Sequence, residues 1–233
     1  MYMDQLTSLS KALFLYLNGS DSLYLDGVFW TITRTVTWVP LMLIILYIII
    51  KNNKWRNSLI IIFFIALLVC LTDQTASGLC KPYFRILRPT HDPETYPLVD
   101  IVDGYRGGMY GFFSSHAANT FGVAIFLSLL LRSGKVACVL YLYAILSSLS
   151  RLYLGVHSPI DISVGLLFGT IAGALLYLLY NLLSKKLSGR RTYYSSAYTS
   201  TGYLSDDLTW IHLGFALTLL YIAFNAVFLA SRF

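Results

Sequence analysis

Charged side chains are scarce in this chain. Asp, Glu, Lys and Arg make up 12% of its 233 residues, whereas hydrophobic residues make up 57%. A typical soluble domain has about 25% charged residues, so this composition excludes a soluble globular protein. Several apolar runs approach or exceed the roughly 20 residues that a helix needs to cross a bilayer, which predicts an integral membrane protein.

Cysteine is rare as well. Cys70, Cys80 and Cys138 are odd in number and lie inside or beside apolar runs, which excludes a disulfide framework and a cysteine-based metal site. No basic segment precedes the apolar residues 6–17, which are too few to span a bilayer, so we expect no cleavable signal peptide. The net charge is +6, but the basic residues lie between apolar runs and not on one polar face, so we expect no nucleic-acid partner.

The hydropathy pattern predicts an all-α fold, a bundle of six transmembrane helices preceded by a short interfacial helix. Residues 1–27 form this interfacial segment, with a turn near Asn18. The spans are predicted at residues 30–50, 57–79, 114–131, 136–149, 158–183 and 210–230. We expect one membrane domain over residues 1–233, with a polar outer loop at 80–112 and a flexible Tyr- and Ser-rich loop at 184–209.

Lysine and arginine are distributed unevenly between the predicted loops. The loops after spans one, three and five hold nine of them, and the loops after spans two and four hold five. Cytoplasmic loops carry the excess of positive charge in membrane proteins, so the first set is predicted to be cytoplasmic. The loops after spans two and four then face the other side of the membrane.

Three short polar stretches on this outer side hold the groups needed to cleave a phosphate ester. They are residues 81–89, 113–116 and 150–161. Such a reaction needs cations to hold the phosphate oxygens, a nucleophile to attack phosphorus, and an acid to protonate the leaving oxygen. Lys81, Arg88 and Arg151 can supply the charge, and His157 and His116 can supply the nucleophile and the acid.

The residues after His157 predict the start of a helix, with Ser158 as N-cap and Pro159 at the first helical position. Asp161 in the first turn could orient the imidazole of His157 through a hydrogen bond. It could equally cap the helix by accepting from the Ser158 N–H. The pattern leaves both roles open, and the neighbouring histidine favours the catalytic role.

The three stretches resemble the type 2 phosphatidic acid phosphatase (PAP2) family, whose pattern is K-x6-RP, PSGH and SR-x5-H-x3-D. The first and third motifs match at every position, from Lys81 to Pro89 and from Ser150 to Asp161. The second motif departs from the pattern, because Phe113 replaces proline and Ser115 replaces glycine. A side chain at position 115 disfavours a positive φ, which puts the shape of this motif in doubt.

The resemblance implies a lipid phosphatase that needs no metal and no cofactor. His157 would form a phosphohistidine with help from Asp161, and His116 would protonate the leaving group. The expected phosphate-binding residues are Lys81, Arg88, Ser114, Ser115, Ser150 and Arg151. The substrate would be a membrane lipid phosphate, with lipid A or undecaprenyl diphosphate favoured. The expected location is a bacterial inner membrane, with the active site facing the periplasm.

Other functions remain alternatives at this point. A lipid phosphotransferase would use the same histidine, and a non-catalytic lipid-binding or transport protein would also place charge near a bilayer. A vanadium-dependent haloperoxidase resembles the motif set, but the apolar spans argue against that soluble class. The pattern leaves open the oligomeric state and any contribution of Asp73, Arg85 and Arg106 to the site.

Overall fold

A computed structural model of the chain describes residues 2–188 and 197–232. The α-helices are α1 (Tyr2–Leu17), α2 (Leu23–Thr33), α3 (Thr35–Asn52), α4 (Trp55–Asp73), α5 (Lys81–Phe84), α6 (Ser115–Leu131), α7 (Gly134–Tyr153), α8 (Pro159–Ser188) and α9 (Ser205–Ala230). A π-helix, Gln74–Cys80, joins α4 to α5, and two short 3-10 turns lie in the following loop. The prediction of an all-α fold is confirmed.

Five helical segments of the described chain are long and apolar enough to cross a membrane. They are Thr35–Asn52, Trp55–Phe84, Gly134–Tyr153, Pro159–Lys186 and Ser205–Ala230. The third predicted span corresponds to α6, which is apolar but has only 17 residues. The prediction of an integral membrane protein is confirmed, and the number of crossings that the structure supports by helix length is five.

The first span begins later than predicted. A break at Arg34, whose backbone is extended (φ −75°, ψ 123°), separates α2 from α3, so Trp30 belongs to a different helix from the span. Two side chains of α3 donate hydrogen bonds to carbonyl groups near the end of α2. Thr37 Oγ1 donates to the Thr31 carbonyl (2.6 Å), and Trp38 Nε1 donates to the Ile32 carbonyl (2.8 Å).

Several helices extend beyond their predicted ends into polar sequence. The helical segment that contains the second span continues to Phe84, and α7 continues to Tyr153. Ser150 and Arg151 therefore lie in a helix and not in a loop. The flexible loop predicted at 184–209 includes the end of α8 and the start of α9. Its residues 189–196 lie outside the described residues.

The centre of the bundle is the close contact between α6 and α8. Three glycines spaced by four residues on α8 face the α6 backbone: a β-carbon at Gly165 would lie 2.5 Å from the Ser114 carbonyl, and Gly169 and Gly173 are similarly close to Ala118 and Gly122. Small residues at such spacing allow two membrane helices to approach closely. This contact brings the second polar stretch, at the start of α6, beside the third, at the start of α8.

Candidate active site

A reciprocal pair of hydrogen bonds closes the start of α8. The Ser158 backbone N–H donates to Asp161 Oδ2 (2.8 Å), and the Asp161 N–H donates to Ser158 Oγ (3.2 Å). This is the capping-box arrangement, which satisfies two donors that a helix start leaves free. The helix start predicted at Ser158 and Pro159 is confirmed, and the capping role of Asp161 is present in the structure.

The same carboxylate also lies beside the imidazole of His157. Asp161 Oδ2 is 3.5 Å from His157 Nδ1, too long for a strong hydrogen bond, and this nitrogen has no hydrogen-bond partner in the described part of the chain. His157 is only 1% exposed. Burial lowers the pKa of His157 to about 4, although the nearby Asp161 opposes this shift. The imidazole is therefore neutral at neutral pH, the form in which its nitrogen can attack phosphorus.

A backbone hydrogen bond connects the second polar stretch to the third. The Ser114 N–H donates to the carbonyl of Asp161 (3.1 Å), and Ser114 Oγ accepts from the Ala117 N–H (3.4 Å) as the N-cap of α6. Ser115 is the first residue of this helix and does not have a positive φ. The serine that replaces glycine therefore causes no backbone strain, and half-buried His116 lies in the first helical turn.

Arg88 connects the first stretch to the third. Its buried guanidinium donates from Nη1 to the Val156 carbonyl and from Nε to the Tyr110 carbonyl, both at 3.2 Å. Val156 precedes His157, so these bonds hold Arg88 beside the histidine. Burial lowers the pKa of Arg88 from its ordinary value, and the positive charge of Arg151 lowers it further. Two arginines held together in a buried place form a strong site for an anion.

Lys81 reaches the same place from the end of the second span. Its ammonium donates to Ser77 Oγ (3.2 Å), one turn earlier on the same helix, and Ser77 Oγ lies 3.5 Å from Asp73 Oδ1. Lys81, Arg88, Arg151 and His157 all lie close enough to interact electrostatically with His116. The structure thus brings together cations and histidines that are far apart in the sequence.

Three of the polar candidates have local roles in this structure. The hydroxyl of Ser150 donates to the Ser147 carbonyl (2.7 Å) within α7, so its binding to phosphate stays a prediction. Arg85 Nε donates to the Pro82 carbonyl (3.3 Å), and exposed Arg106 donates to the Tyr96 hydroxyl (2.7 Å). These bonds do not direct the side chain of Arg85 or of Arg106 toward His157.

Two residues near the site were missed at the level of sequence. Thr33 and Tyr105 both accept hydrogen bonds from the guanidinium of Arg151. They are 118 and 46 residues away from Arg151 in the chain and lie outside the three motifs. A threonine at a helix end and a tyrosine in a loop give no local signal of such a contact.

Comparisons with known proteins identify the family. The family model described as the PAP2 superfamily matches residues 57–185, which include all three stretches. A lipid A 4′-phosphatase of Bacteroides thetaiotaomicron is 39% identical over 185 residues, 78% of this chain and 81% of that protein. A lipid A 4′-phosphatase of Porphyromonas gingivalis is 35% identical over 178 residues, 76% of this chain and 75% of that protein.

A more distant relative has a related name. An undecaprenyl-diphosphatase of Sulfolobus acidocaldarius is 30% identical over 162 residues, 68% of this chain and 72% of that protein. No solved structure matches the chain at a comparable level of significance. The family match covers more than half of the chain, and the curated relatives cover more still. The chain therefore belongs to the PAP2 superfamily and is a membrane lipid phosphatase.

Proposed function

We propose that this protein hydrolyses the 4′-phosphate of lipid A at the periplasmic face of a bacterial inner membrane, without a metal ion and through a phosphohistidine. Buried His157 beside Asp161 and two buried arginines is the observation that carries the reaction. Lipid A is favoured as substrate because the relatives with this name are 39% and 35% identical, against 30% for the undecaprenyl-diphosphatase.

The first half of the reaction transfers the phosphoryl group to the enzyme. Lys81, Arg88 and Arg151 hold the non-bridging phosphate oxygens, with Ser114, Ser115 and Ser150 close by. The neutral ring of His157 attacks phosphorus through Nε2, the nitrogen that does not face Asp161. The bond from phosphorus to the ester oxygen breaks, and His116 gives its proton to that oxygen. The Asp161 carboxylate stabilises the positive charge that the imidazole gains.

The second half restores the enzyme. His116, now neutral, accepts a proton from a water molecule as that water attacks the phosphohistidine. The bond between phosphorus and Nε2 breaks, inorganic phosphate leaves, and His157 returns to its neutral form. The bound phosphate dianion favours protonation of His116, because it offsets the positive charges of Arg151, Lys81 and Arg88 around that histidine.

The proposed location follows from the helices that carry the site. At 1.5 Å per residue the 17 residues of α6 extend over about 26 Å, which is close to the thickness of the hydrocarbon layer. We take α6 as a sixth crossing within one domain that spans residues 1–233. The excess of Lys and Arg in the loops after spans one, three and five then supports a site on the periplasmic side.

Phosphate release by purified protein in detergent tests this function. Lipid A, undecaprenyl diphosphate and phosphatidate are offered separately in the presence of a chelator. We expect release from lipid A that is lost in His157→Ala and kept in His91→Ala. His91 is a matched control because its side chain contacts Thr90, and its hydrogen bond to the Arg88 carbonyl comes from the backbone N–H, which alanine keeps.

Each other outcome points to a different function. Preference for undecaprenyl diphosphate would change the substrate and keep the reaction. Transfer of phosphate to an added acceptor lipid in place of release would make the protein a phosphotransferase. Dependence on an added metal ion would contradict the proposed chemistry. Absence of both release and transfer, or full activity in His157→Ala, would reject a phosphohistidine enzyme.

A further inference from the structure

The guanidinium of Arg151 is held by two hydroxyl groups from outside the motifs. Nη1 donates to Thr33 Oγ1 (2.5 Å), and Nη2 donates to the Tyr105 hydroxyl (3.1 Å). The Tyr105 ring centre lies 5.6 Å from Arg151 Cζ, within the range of a cation–π contact. Arg151 is 4% exposed, and its buried Nε has no hydrogen-bond partner among the described residues. Two of the five N–H donors of the guanidinium are thus used, and three, the Nε–H among them, remain for a ligand.

Both acceptors are uncharged, which matters for an anion site. A carboxylate in either position would compensate the positive charge of Arg151 and compete with a phosphate for its donors. A hydroxyl oxygen accepts a hydrogen bond and fixes the plane of the guanidinium while leaving its charge intact. Thr33 and Tyr105 thus hold Arg151 in a way that preserves its attraction for phosphate.

The position of Thr33 is fixed by the junction between α2 and α3. Thr33 is the last residue of α2, and the chain is extended at Arg34. Hydrogen bonds from Thr37 and Trp38 to the last carbonyls of α2 hold the two helices together. Asn225 on α9 adds a bond to Thr31 Oγ1 (2.9 Å). The end of α2 is therefore attached on two sides and cannot move without breaking buried hydrogen bonds.

Tyr105 is attached to the same helix through an aromatic contact. Its ring packs edge-on against Trp30 of α2, with ring centres 5.3 Å apart at an angle of 87°. Edge-to-face pairs of this kind are favourable beyond the area that they bury. Trp30 lies in the last turn of α2, so this contact ties the loop tyrosine to the same end of the helix as Thr33. Both hydrogen-bond partners of Arg151 thus depend on α2, which precedes the region matched by the family model.

We propose that α2 completes the phosphate site and that Thr33 and Tyr105 are positioning residues for Arg151. They hold the guanidinium plane so that Nε and the remaining Nη hydrogens can bind two oxygens of one phosphate. A long, flexible arginine that is fixed before binding loses less entropy when the ligand arrives, so the affinity for phosphate rises. This inference rests on the proposed function, in which Arg151 binds the phosphate.

Binding of orthovanadate, a phosphate mimic, tests the inference without requiring turnover. Its Kd is measured by calorimetry on the full-length protein in detergent, together with the Tm of each variant. We expect Thr33→Val to raise the Kd about tenfold, since hydrogen bonds to a charged group are among the stronger ones. Tyr105→Phe should have a smaller effect because the ring and its cation–π contact remain. Thr33→Ser keeps the hydroxyl and should bind as the natural protein does.

Thr37→Val is the matched control. It makes the same chemical change at the same junction and removes a buried bond to the Thr31 carbonyl, but it does not touch Arg151. We expect it to lower the Tm and to raise the Kd much less than Thr33→Val does, because Trp38 and Asn225 still hold the end of α2. In an Arg151→Lys background, Thr33→Val should have no further effect on the Kd, because the guanidinium that Thr33 positions is already absent.

Three results would overturn the inference: an unchanged Kd in Thr33→Val, an equal rise in Thr37→Val, or an effect that adds fully to Arg151→Lys. Its failure is distinguishable from failure of the proposed function. If the natural protein releases phosphate, His157→Ala does not, and Thr33→Val leaves the Kd unchanged, only the role of α2 is rejected. Absence of release in an otherwise folded protein that binds orthovanadate would reject only the hydrolysis.

Discussion

One carboxylate oxygen contacts both the start of α8 and the buried imidazole of His157. Asp161 Oδ2 accepts a hydrogen bond from the Ser158 N–H and lies 3.5 Å from His157 Nδ1. The capping bond is short and fixes where the carboxylate is, while the longer contact gives it influence over the imidazole. The two interpretations that the sequence left open are therefore compatible, because one oxygen can meet both groups.

Substitution of Asp161 separates these two roles. In Asp161→Asn the amide oxygen still accepts from the Ser158 N–H, but the negative charge that stabilises the cationic imidazole is lost. We expect kcat to fall by about 100-fold to 10,000-fold, the upper value being the effect of the same change at a histidine-orienting acid in serine proteases, with little change in Tm. Steady-state kinetics and thermal unfolding in detergent measure the two effects.

Ser158→Ala provides the comparison for that variant. It removes the bond from the Asp161 N–H to Ser158 Oγ and leaves the carboxylate in place. The expected cost is about 1 kcal/mol of stability with nearly normal kcat. Nearly normal kcat in Asp161→Asn, as in Ser158→Ala, would mean that Asp161 acts only as a helix cap.

The burial of His157 has a consequence for the pH dependence of the reaction. In the proposed mechanism the neutral imidazole is the nucleophile, and protonation abolishes its nucleophilicity. Because burial lowers the pKa of His157 to about 4, the neutral form persists as the pH falls through the ordinary histidine value of about 6.5. We expect kcat/KM, corrected for ionisation of the substrate, not to fall between pH 7 and about pH 5, where protonation of His116 can only raise it, and to fall only near pH 4. An acid limb centred near 6.5 would contradict the burial of this residue.

At the scale of elements, the contact between α6 and α8 determines the geometry of the site. The glycines of α8 let its backbone approach Ala118 and its neighbours, and this contact places Ser114 within hydrogen-bond distance of the Asp161 carbonyl. Close packing of the two backbones thus controls the distance between His116 and His157. A side chain inserted between these helices should affect stability and chemistry together.

Gly169→Ala tests this packing. A β-carbon at position 169 would overlap the carbonyl of Ala118, so α6 and α8 would have to separate. We expect a loss of about 1–3 kcal/mol in stability, typical of overpacking, and reduced phosphate release at temperatures where the variant is folded. Thermal unfolding and the release assay measure these effects.

Gly134→Ala is the control at an open position. No atom lies within 4 Å of a β-carbon placed there, and alanine favours helix more than glycine does. We expect equal or slightly higher stability and normal activity. A Gly169→Ala protein as stable and active as Gly134→Ala would show that the close approach of α6 and α8 is not required.

At the scale of the whole molecule, the arrangement of apolar helices places all three motifs at one end of the bundle. The helical segment Trp55–Phe84, which contains the second span, has Lys81 in its last turn, and α6 and α8 both start at the same end of the bundle. The opposite end is held by other polar contacts, including the ion pair between Lys51 and Asp207 (2.6 Å). The positive-inside rule applied to the loops predicts that this opposite end is cytoplasmic.

Cysteine labelling tests the orientation. In a background where the three native cysteines are replaced by serine, Glu94→Cys and Lys185→Cys introduce thiols at exposed positions near opposite ends of the bundle. We expect a membrane-impermeant maleimide added to spheroplasts to label position 94 directly and position 185 only after the membrane is opened. The reverse pattern would place the active site in the cytoplasm.

Much of the fold and of the candidate site could be predicted from local properties of the sequence. The long apolar runs predicted membrane helices because a buried peptide group in lipid must be satisfied within its own helix. Ser158 and Pro159 predicted a helix start, since capping involves residues only a few positions apart. The motif residues from Lys81 to Asp161 predicted the family, which the comparisons confirmed.

Other features depended on contacts between distant parts of the chain. Hydropathy alone did not predict the break at Arg34 or the continuation of the second span to Phe84, whereas the bounds predicted for the third span, 114–131, agree with α6 within one residue. The environment of Arg151 was likewise decided by the tertiary structure, because Thr33 is 118 residues away from it. The sequence by itself determined which segments enter the membrane and which residues have reactive side chains. The tertiary structure decided which neighbours hold those side chains, because a hydrogen bond depends on distance in space and not on separation along the chain.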